Sequence, residues 1–292
     1  AADRQAIASH VRRYVTGPGR PQIFDGFAKA ETSFAFTLGA RRNFWKRWSA
    51  AVDHVVRVRA WRAGSGDANH RDLLDLLIAA RDTETGRPLT AHEVRDECAT
   101  MIFAGYETTA RLMFWASYLL TLDPAEQSRI RAEVTAFPPE HVENLEDLAH
   151  WPRLRATLLE ALRLYPPVPL LVREAIAADI ILGEHVAPGT QVYIAPWVLH
   201  RHCKHWSNPT AFDPGRFDGQ TTPWTSGGAY LPFGAGPRIC IGAVFALAEV
   251  QIMLATLLRR RTLTTEDARP VLPVGRLTIQ PSHSPAFRLG AP

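Results

Sequence analysis

Apolar positions recur at helical spacing along most of the chain, and the breaks between those runs set the predicted elements. Residues 3–15 and Arg41–Arg62 read as amphipathic helices, with Val11, Tyr14 and Val15 on one face of the first and Phe44, Trp48, Val52, Val55 and Val56 on one face of the second. Gly17-Pro-Gly-Arg-Pro21 breaks the chain between them. Gly64-Ser-Gly-Asp-Ala-Asn69 is a loop, lacking the preceding strand and third glycine of a phosphate cradle. Leu73–Arg81 is a short helix. Thr90-x-x-Glu93 is a capping box that opens the longest helix, running to about Leu122, roughly 45 Å at 1.5 Å per residue. Pro124 starts the next helix in its first turn, and Leu154–Tyr165 forms another that Pro166-Pro167 stops.

The pattern then changes period. Ile180–Leu182, Gln191–Ile194 and Leu277–Gln280 are short apolar or β-branched runs between Gly and Pro, the mark of small sheets. Phe212–Gly236 is irregular. Val244–Leu258 is an apolar helix closed by Arg259-Arg260-Arg261, cations suited to a helix C-terminus. No internal repeat occurs. The expectation is a single, mainly α domain over 1–292 with small β-sheets.

Composition narrows the class. Of 292 residues, 46% are hydrophobic and 21% charged, the balance of a globular protein with a large core. No run of about eighteen uninterrupted apolar residues could span a membrane. The net charge of +4 is carried by scattered arginines, with lysine only at Lys29, Lys46 and Lys204, which excludes a clustered nucleic-acid arm. Three cysteines, Cys98, Cys203 and Cys240, with no CxxC, argue against a disulfide framework and for a reducing compartment. No Gly-x-Ser-x-Gly or His-Glu-x-x-His supports a hydrolase.

Most chemistry is concentrated in Phe233-Gly-Ala-Gly-Pro-Arg-Ile-Cys240-Ile-Gly242. One cysteine follows a glycine-rich turn and precedes an apolar helix, so turn N–H groups and the helix dipole both favour a thiolate. Gly234 and Gly236 permit turn dihedrals closed to other residues, and Gly242 keeps the helix start bare. The stretch resembles the cysteine-ligand loop of the cytochromes P450, Phe-x-x-Gly-x-Arg-x-Cys-x-Gly, at every fixed position. The alternative, a buried structural cysteine, leaves Arg238 and three glycines without a role. The resemblance implies a P450 fold, Cys240 as axial ligand of a haem b iron, and Arg238 paired with a propionate. Phe233, Gly234, Gly236 and Gly242 would complete that cradle.

Three further segments match the same family. Ala104-Gly105-Tyr106-Glu107-Thr108-Thr109, midway along the long helix, resembles the oxygen-binding motif (Ala/Gly)-Gly-x-(Asp/Glu)-Thr. The resemblance implies that Thr108 hydrogen-bonds at the oxygen site and Glu107 feeds protons, favouring O–O cleavage over peroxide release. Gly105 would leave room for dioxygen and let the helix bulge. Alone, the segment also reads as a core helix whose threonines bond back to the preceding turn. Glu160-Ala-Leu-Arg163 puts opposite charges at i,i+3, by default a solvated pair. In the family it is buried and joined by the arginine of Pro-x-Arg-Phe, here Arg216 in Pro214-Gly215-Arg216-Phe217. A glutamate usual in the family is replaced by Gly215. Arg173, after Pro166-Pro-Val-Pro-Leu-Leu-Val172, aligns with a propionate-binding arginine; a surface strand arginine is the other reading.

Phe103, Ala104, Val168, Leu170, Leu171, Val172 and Val274–Leu277 would line a pocket for a hydrophobic substrate, or serve as plain core. His200-Arg-His202-Cys203-Lys-His205 lacks metal-ligand spacing and reads as a polar loop with incidental histidines. Cys98 is a packed core side chain. The resemblance covers the C-terminal two-thirds of a P450, from about the sixth helix onward, so the chain is a fragment or a truncated product, and an N-terminal anchor stays an open alternative to a bacterial cytosolic location. The implied function is monooxygenation of a hydrophobic substrate with O2 and electrons from a separate ferredoxin, flavodoxin-type protein or reductase. A peroxide-driven peroxygenase and a non-catalytic fragment are the rival readings.

Overall fold

The structure is a computed structural model that describes residues 50, 52–54, 56–57, 72–82, 85–220, 223–226 and 228–291. The expected helix at 3–15, the break at 17–21, the loop at 64–69, and Phe44, Trp48 and Val55 lie outside these. Two compact units divide between Tyr106 and Glu107.

In the first unit, α1 (Leu73–Ala79) is shorter than its apolar run, because Asp72 caps the Leu74 and Asp75 N–H groups and Ala80 leaves helical dihedrals. Its core joins Val52, Val56 and Val94 to Leu74, Leu77, Ile78 and Cys98. The long helix α2 spans Ala91–Leu122. Its capping box closes in both directions: Glu93 N–H donates to Thr90 Oγ1 at 3.2 Å, and Glu93 Oε2 accepts Thr90 N–H at 2.7 Å. The helix runs as unbroken α through Gly105. A glycine permits a bulge without forcing one, and the α-helical ladder runs on through it. The expected bulge is therefore corrected.

In the second unit, α3 (Pro124–Ala136), α4 (Pro152–Leu164) and α6 (Ala243–Arg260) pack on the C-terminal half of α2. From Leu154 onward α4 is buried almost all round, so its Thr157, Glu160 and Arg163 need partners inside, and Thr157 Oγ1 donates to Glu126 Oε1 at 2.9 Å. On α6, Leu247, Val250, Leu254 and Leu258 fall at helical spacing and are fully buried. Each stabilises by about 1.5–3 kcal/mol, and Leu254→Ala would open a cavity in the shared core. A short helix, α5, covers Pro196–Leu199.

Among the described residues the strands form four antiparallel pairs. They are β1 (Leu171–Glu174) with β4 (Gln191–Ile194), β2 (Asp179–Ile181) with β3 (Glu184–Val186), β5 (Thr262–Thr265) with β8 (Phe287–Gly290), and β6 (Pro273–Gly275) with β7 (Ile279–Pro281). The mainly helical class with small sheets is the observed one. Two strand limits differ from the sequence pattern. Leu182, at φ 53° beside Gly183 at φ 88°, belongs to the β2–β3 turn, which needs two consecutive left-handed residues. Leu277 and Thr278 form the turn before β7, not its start.

Candidate haem-thiolate site

The loop before α6 is fixed at both ends. Tyr230 is buried and donates its hydroxyl to the Leu159 carbonyl at 2.7 Å. Next to it, Leu231 N–H donates to His200 Nε2 at 2.8 Å. Gly234 N–H returns to the Leu231 carbonyl, and Cys240 N–H donates to the Phe233 carbonyl at 2.9 Å. Gly234 and Gly236 adopt φ +74° and +69°, left-handed conformations costly for other residues. Phe233 packs edge-on to Trp224. Between these anchors residues 235–241 are exposed, Cys240 among them. The sulfur lies beside the N-cap of α6, since a Cβ on Gly242 would stand 3.8 Å from Cys240 Sγ.

Beneath the loop lies a buried ionic network. Arg163 and Glu160 are fully buried and meet in a bidentate pair, at 2.6 and 2.8 Å. Arg163 also donates to the carbonyls of His200, Pro209 and Ala211. Arg216 Nε stands 3.4 Å from Glu160 Oε1, which also accepts Asp213 N–H at 2.9 Å. Gly215 is explained locally: Asp213 caps its N–H, and a Cβ there would come within 3.0 Å of Asp213 Oδ1. Asp213 Oδ2, 4.0 Å from Arg216 Nε, supplies a carboxylate near that arginine.

His200 overturns the polar-loop reading of its segment. It is fully buried, and burial pushes its imidazole down to about 3, so the neutral ring accepts from Leu231. Arg201 is half-buried too, stacked over Trp197 and donating to the Leu164 carbonyl, while residues 203–205 are an exposed loop that includes Cys203. Among the described residues no group of three or more His, Cys, Asp or Glu could hold a metal ion.

On α2, Glu107 is buried and Thr108 half-buried. Glu107 Oε1 accepts from Thr278 Oγ1 at 2.5 Å, Gln280 Nε2 at 3.1 Å and Arg111 Nη2 at 3.2 Å. In the other unit, Phe103 is half-buried and Ala104 and Gly105 are exposed. No atom lies within 4 Å of a Cβ placed on Gly105.

Strand β1 alternates. Leu171 and Arg173 share its half-buried face, and Val172 and Glu174 share the exposed one. Leu171 Cδ1 reaches Gly234, so this face meets the cysteine loop. Leu171 and Val172 therefore do not line one surface together. Val168, Leu170 and Val274 are half-buried. Arg173 donates to the Val172 carbonyl at 2.9 Å, and among the described residues neither Arg173 nor Arg238 is paired with a carboxylate.

A family model described as cytochrome P450 matches residues 13–283. The chain belongs to the cytochrome P450 family. Cyclooctatin synthase of Streptomyces melanosporofaciens is 35% identical over 76% of this chain and 49% of the relative. Human cytochrome P450 4F2 is 39% identical over 74% of this chain and 41% of the relative. The crystal structure of the cytochrome P450DA heme domain aligns with all of this chain and 61% of its own, at TM-score 0.80 and 29% identity. The chain thus spans about two-fifths to one-half of the curated relatives it matches.

The residues of this P450 fit the haem its family implies. Cys240 presents a soft sulfur donor at an exposed position next to a helix N-terminus. Ile239, Ile241, Val244 and Phe245 around it in sequence expose apolar side chains, Ile241 to 91%, a surface suited to a flat apolar macrocycle. Arg238 and Arg173 offer cations that no carboxylate among the described residues pairs with. Sequence reasoning missed His200, Thr278 and Gln280. Their partners lie 31 to 173 residues away, and no local pattern marks them.

Proposed function

We propose that this P450 chain is the catalytic part of a haem-thiolate monooxygenase that inserts one oxygen atom from O2 into a hydrophobic organic substrate. The observation that carries the reading is the exposed Cys240 sulfur, held at the start of α6 by a loop anchored through Leu231 and Phe233. When bound, a haem b with a thiolate ligand supplies dioxygen activation and the oxidising power for C–H attack.

The chain's own residues bind, orient and supply protons. Cys240 gives the ligand, and the N-terminus of α6 stabilises its negative charge. Arg238 and Arg173 would hold the propionates of a bound haem. Thr108 would hydrogen-bond at the oxygen site, and Glu107 would pass protons toward it. Val168, Leu170, Leu171 and Val274 offer apolar contacts to substrate. Glu160, Arg163 and Arg216 fix the segment under the cysteine loop.

Electrons come from a separate ferredoxin or flavodoxin-type donor or a reductase. Arg259 and Arg260 are both engaged by Glu140, so within the 259–261 cluster Arg261 is the residue with charge to spare for an acidic donor. Arg261→Glu should slow electron transfer and flatten its salt dependence; unchanged rates and salt dependence would remove that docking site.

The test of the whole reading is the absorption spectrum of the reduced, CO-bound protein, with product formation from a panel of hydrophobic substrates. A thiolate-type red-shifted band that disappears in Cys240→Ala, together with donor-dependent oxygenation, supports it. Turnover with hydrogen peroxide and none with reduced donors would favour a peroxygenase instead.

A further inference from the structure

The C-terminal hairpin hangs from one stripe of α2. Glu107, Arg111, Trp115 and Tyr118 recur at helical spacing along one face. Tyr118 Oη accepts Val271 N–H at 3.0 Å, and Trp115 donates its indole N–H to the Ile279 carbonyl at 3.2 Å. Glu107 completes the row through Thr278, which is 4% exposed, and Gln280. These two donors and Arg111 all meet the same carboxylate oxygen, Oε1. One carboxylate oxygen offers two lone-pair directions, and three donors crowd them at Oε1, so proton transfer through Glu107 runs by way of Oε2. The orientation of this acid is therefore set by a turn 171 residues away in the chain.

We propose that Thr278 and Gln280 are positioning residues for Glu107, fixing its carboxyl so that Oε2 carries the protons used in oxygen activation. The proposal rests on the monooxygenase reading above. Inserting one atom of O2 into a C–H bond consumes two electrons and two protons and releases one water. The same two electrons and two protons, spent without insertion, release hydrogen peroxide. The electrons come from the reduced donor and the protons from solvent, so proton placement decides between the two outcomes. The same contacts tie the turn beside exposed Leu277, on the hairpin that also carries Val274, to the acid next to Thr108. A substrate resting on that turn would thereby bear on proton supply.

The experiment compares the haem-loaded chain with Thr278→Val, Thr278→Ser, Gln280→Leu and Glu107→Gln. Thr278→Val should raise the ratio of peroxide to product by roughly tenfold, below the 10²–10⁴ a positioned proton donor contributes in full. Its reduced, CO-bound spectrum should keep the thiolate band, and Thr278→Ser should restore the ratio. Gln280→Leu should move the ratio the same way by less, since a neutral amide bond is replaced. The second readout is amide hydrogen exchange of residues 276–281, expected to be about tenfold faster in Glu107→Gln than in wild type. A Thr278→Val ratio equal to wild type, or no rescue by serine, overturns the proposal. If wild type lacks the thiolate band, the monooxygenase reading fails separately; unchanged exchange at 276–281 then overturns the clamp by itself.

Discussion

Arg163 and Cys240 sit in neighbouring parts of one scaffold and are treated in opposite ways. Every one of the five guanidinium N–H donors of Arg163 finds an acceptor, two on Glu160 and three on backbone carbonyls, and the side chain is fully buried. Cys240 is held through its backbone N–H, while its side chain is exposed among exposed apolar neighbours. The contrast separates two demands on sequence. A buried charge is tolerated only where the protein itself saturates it, so that region serves folding. A side chain left outward on a rigidly anchored loop serves something that is not protein. Substitutions in the first region should therefore move stability, and those in the second should move cofactor capture.

The largest effect on stability should come from splitting the buried pair. Glu160→Ala leaves the Arg163 charge buried and also frees Asp213 N–H and Arg216 from their shared acceptor. A loss of about 3–5 kcal/mol is expected, measured by urea unfolding followed by circular dichroism. A loss under about 1 kcal/mol would mean that the network is not a folding element, and the comparison would break there.

Next is acid sensitivity at the junction of the two regions, where His200 carries the start of the cysteine loop. Burial holds its imidazole neutral in the folded state down to about 3, against an ordinary value of 6.5. Between those values the unfolded chain binds the extra proton, so stability is fully present above the higher value and falls as pH drops toward the lower one. The slope should be about 1.4 kcal/mol per pH unit in that window. His200→Asn should lack this component, and equal slopes in the two proteins would show that the ring is not held neutral.

A smaller and more local effect is expected at Gly234. Its φ of +74° is unfavourable for a residue with a Cβ, while the nearest atoms to such a Cβ stand at an ordinary 3.8 Å. Gly234→Ala should cost about 1–2 kcal/mol through backbone conformation alone. It should also weaken haem retention, because Phe233 next to it accepts the Cys240 N–H. Loss of stability without any change in haem retention would uncouple the turn from the ligand.

The limits of what sequence discloses follow the same division. Helix α2 was legible at both ends because its start is a local capping box, and Cys240 because its glycines and arginine lie within ten residues. Glu160 and Arg163 could be paired by helical spacing, but nothing near them says that the pair is buried; burial comes from Pro209, Ala211 and Asp213, supplied by a distant segment. Strand β5 escaped notice because Thr262–Thr265 pairs with Phe287–Gly290 across an intervening hairpin. His200 was misread for the same reason, since its partner Leu231 is invisible to any window around it. Local chemistry is written locally, and anything closed by a long-range contact is not.

The sharpest form of the comparison is the substitution expected to do least to the fold. Cys240→Ala removes an exposed side chain and keeps the backbone bond to Phe233, so unfolding free energy should stay within about 0.5 kcal/mol of wild type. The N-cap of α6 is unaffected, because Gly242 caps without a side chain. In the same protein the thiolate band of the reduced, CO-bound state should vanish and haem should be released more readily. That pairing of an intact fold with a lost ligand is what an outward-facing donor requires. If instead the alanine variant unfolded as easily as Glu160→Ala, the sulfur would belong to the core, and the division between the two regions would be wrong.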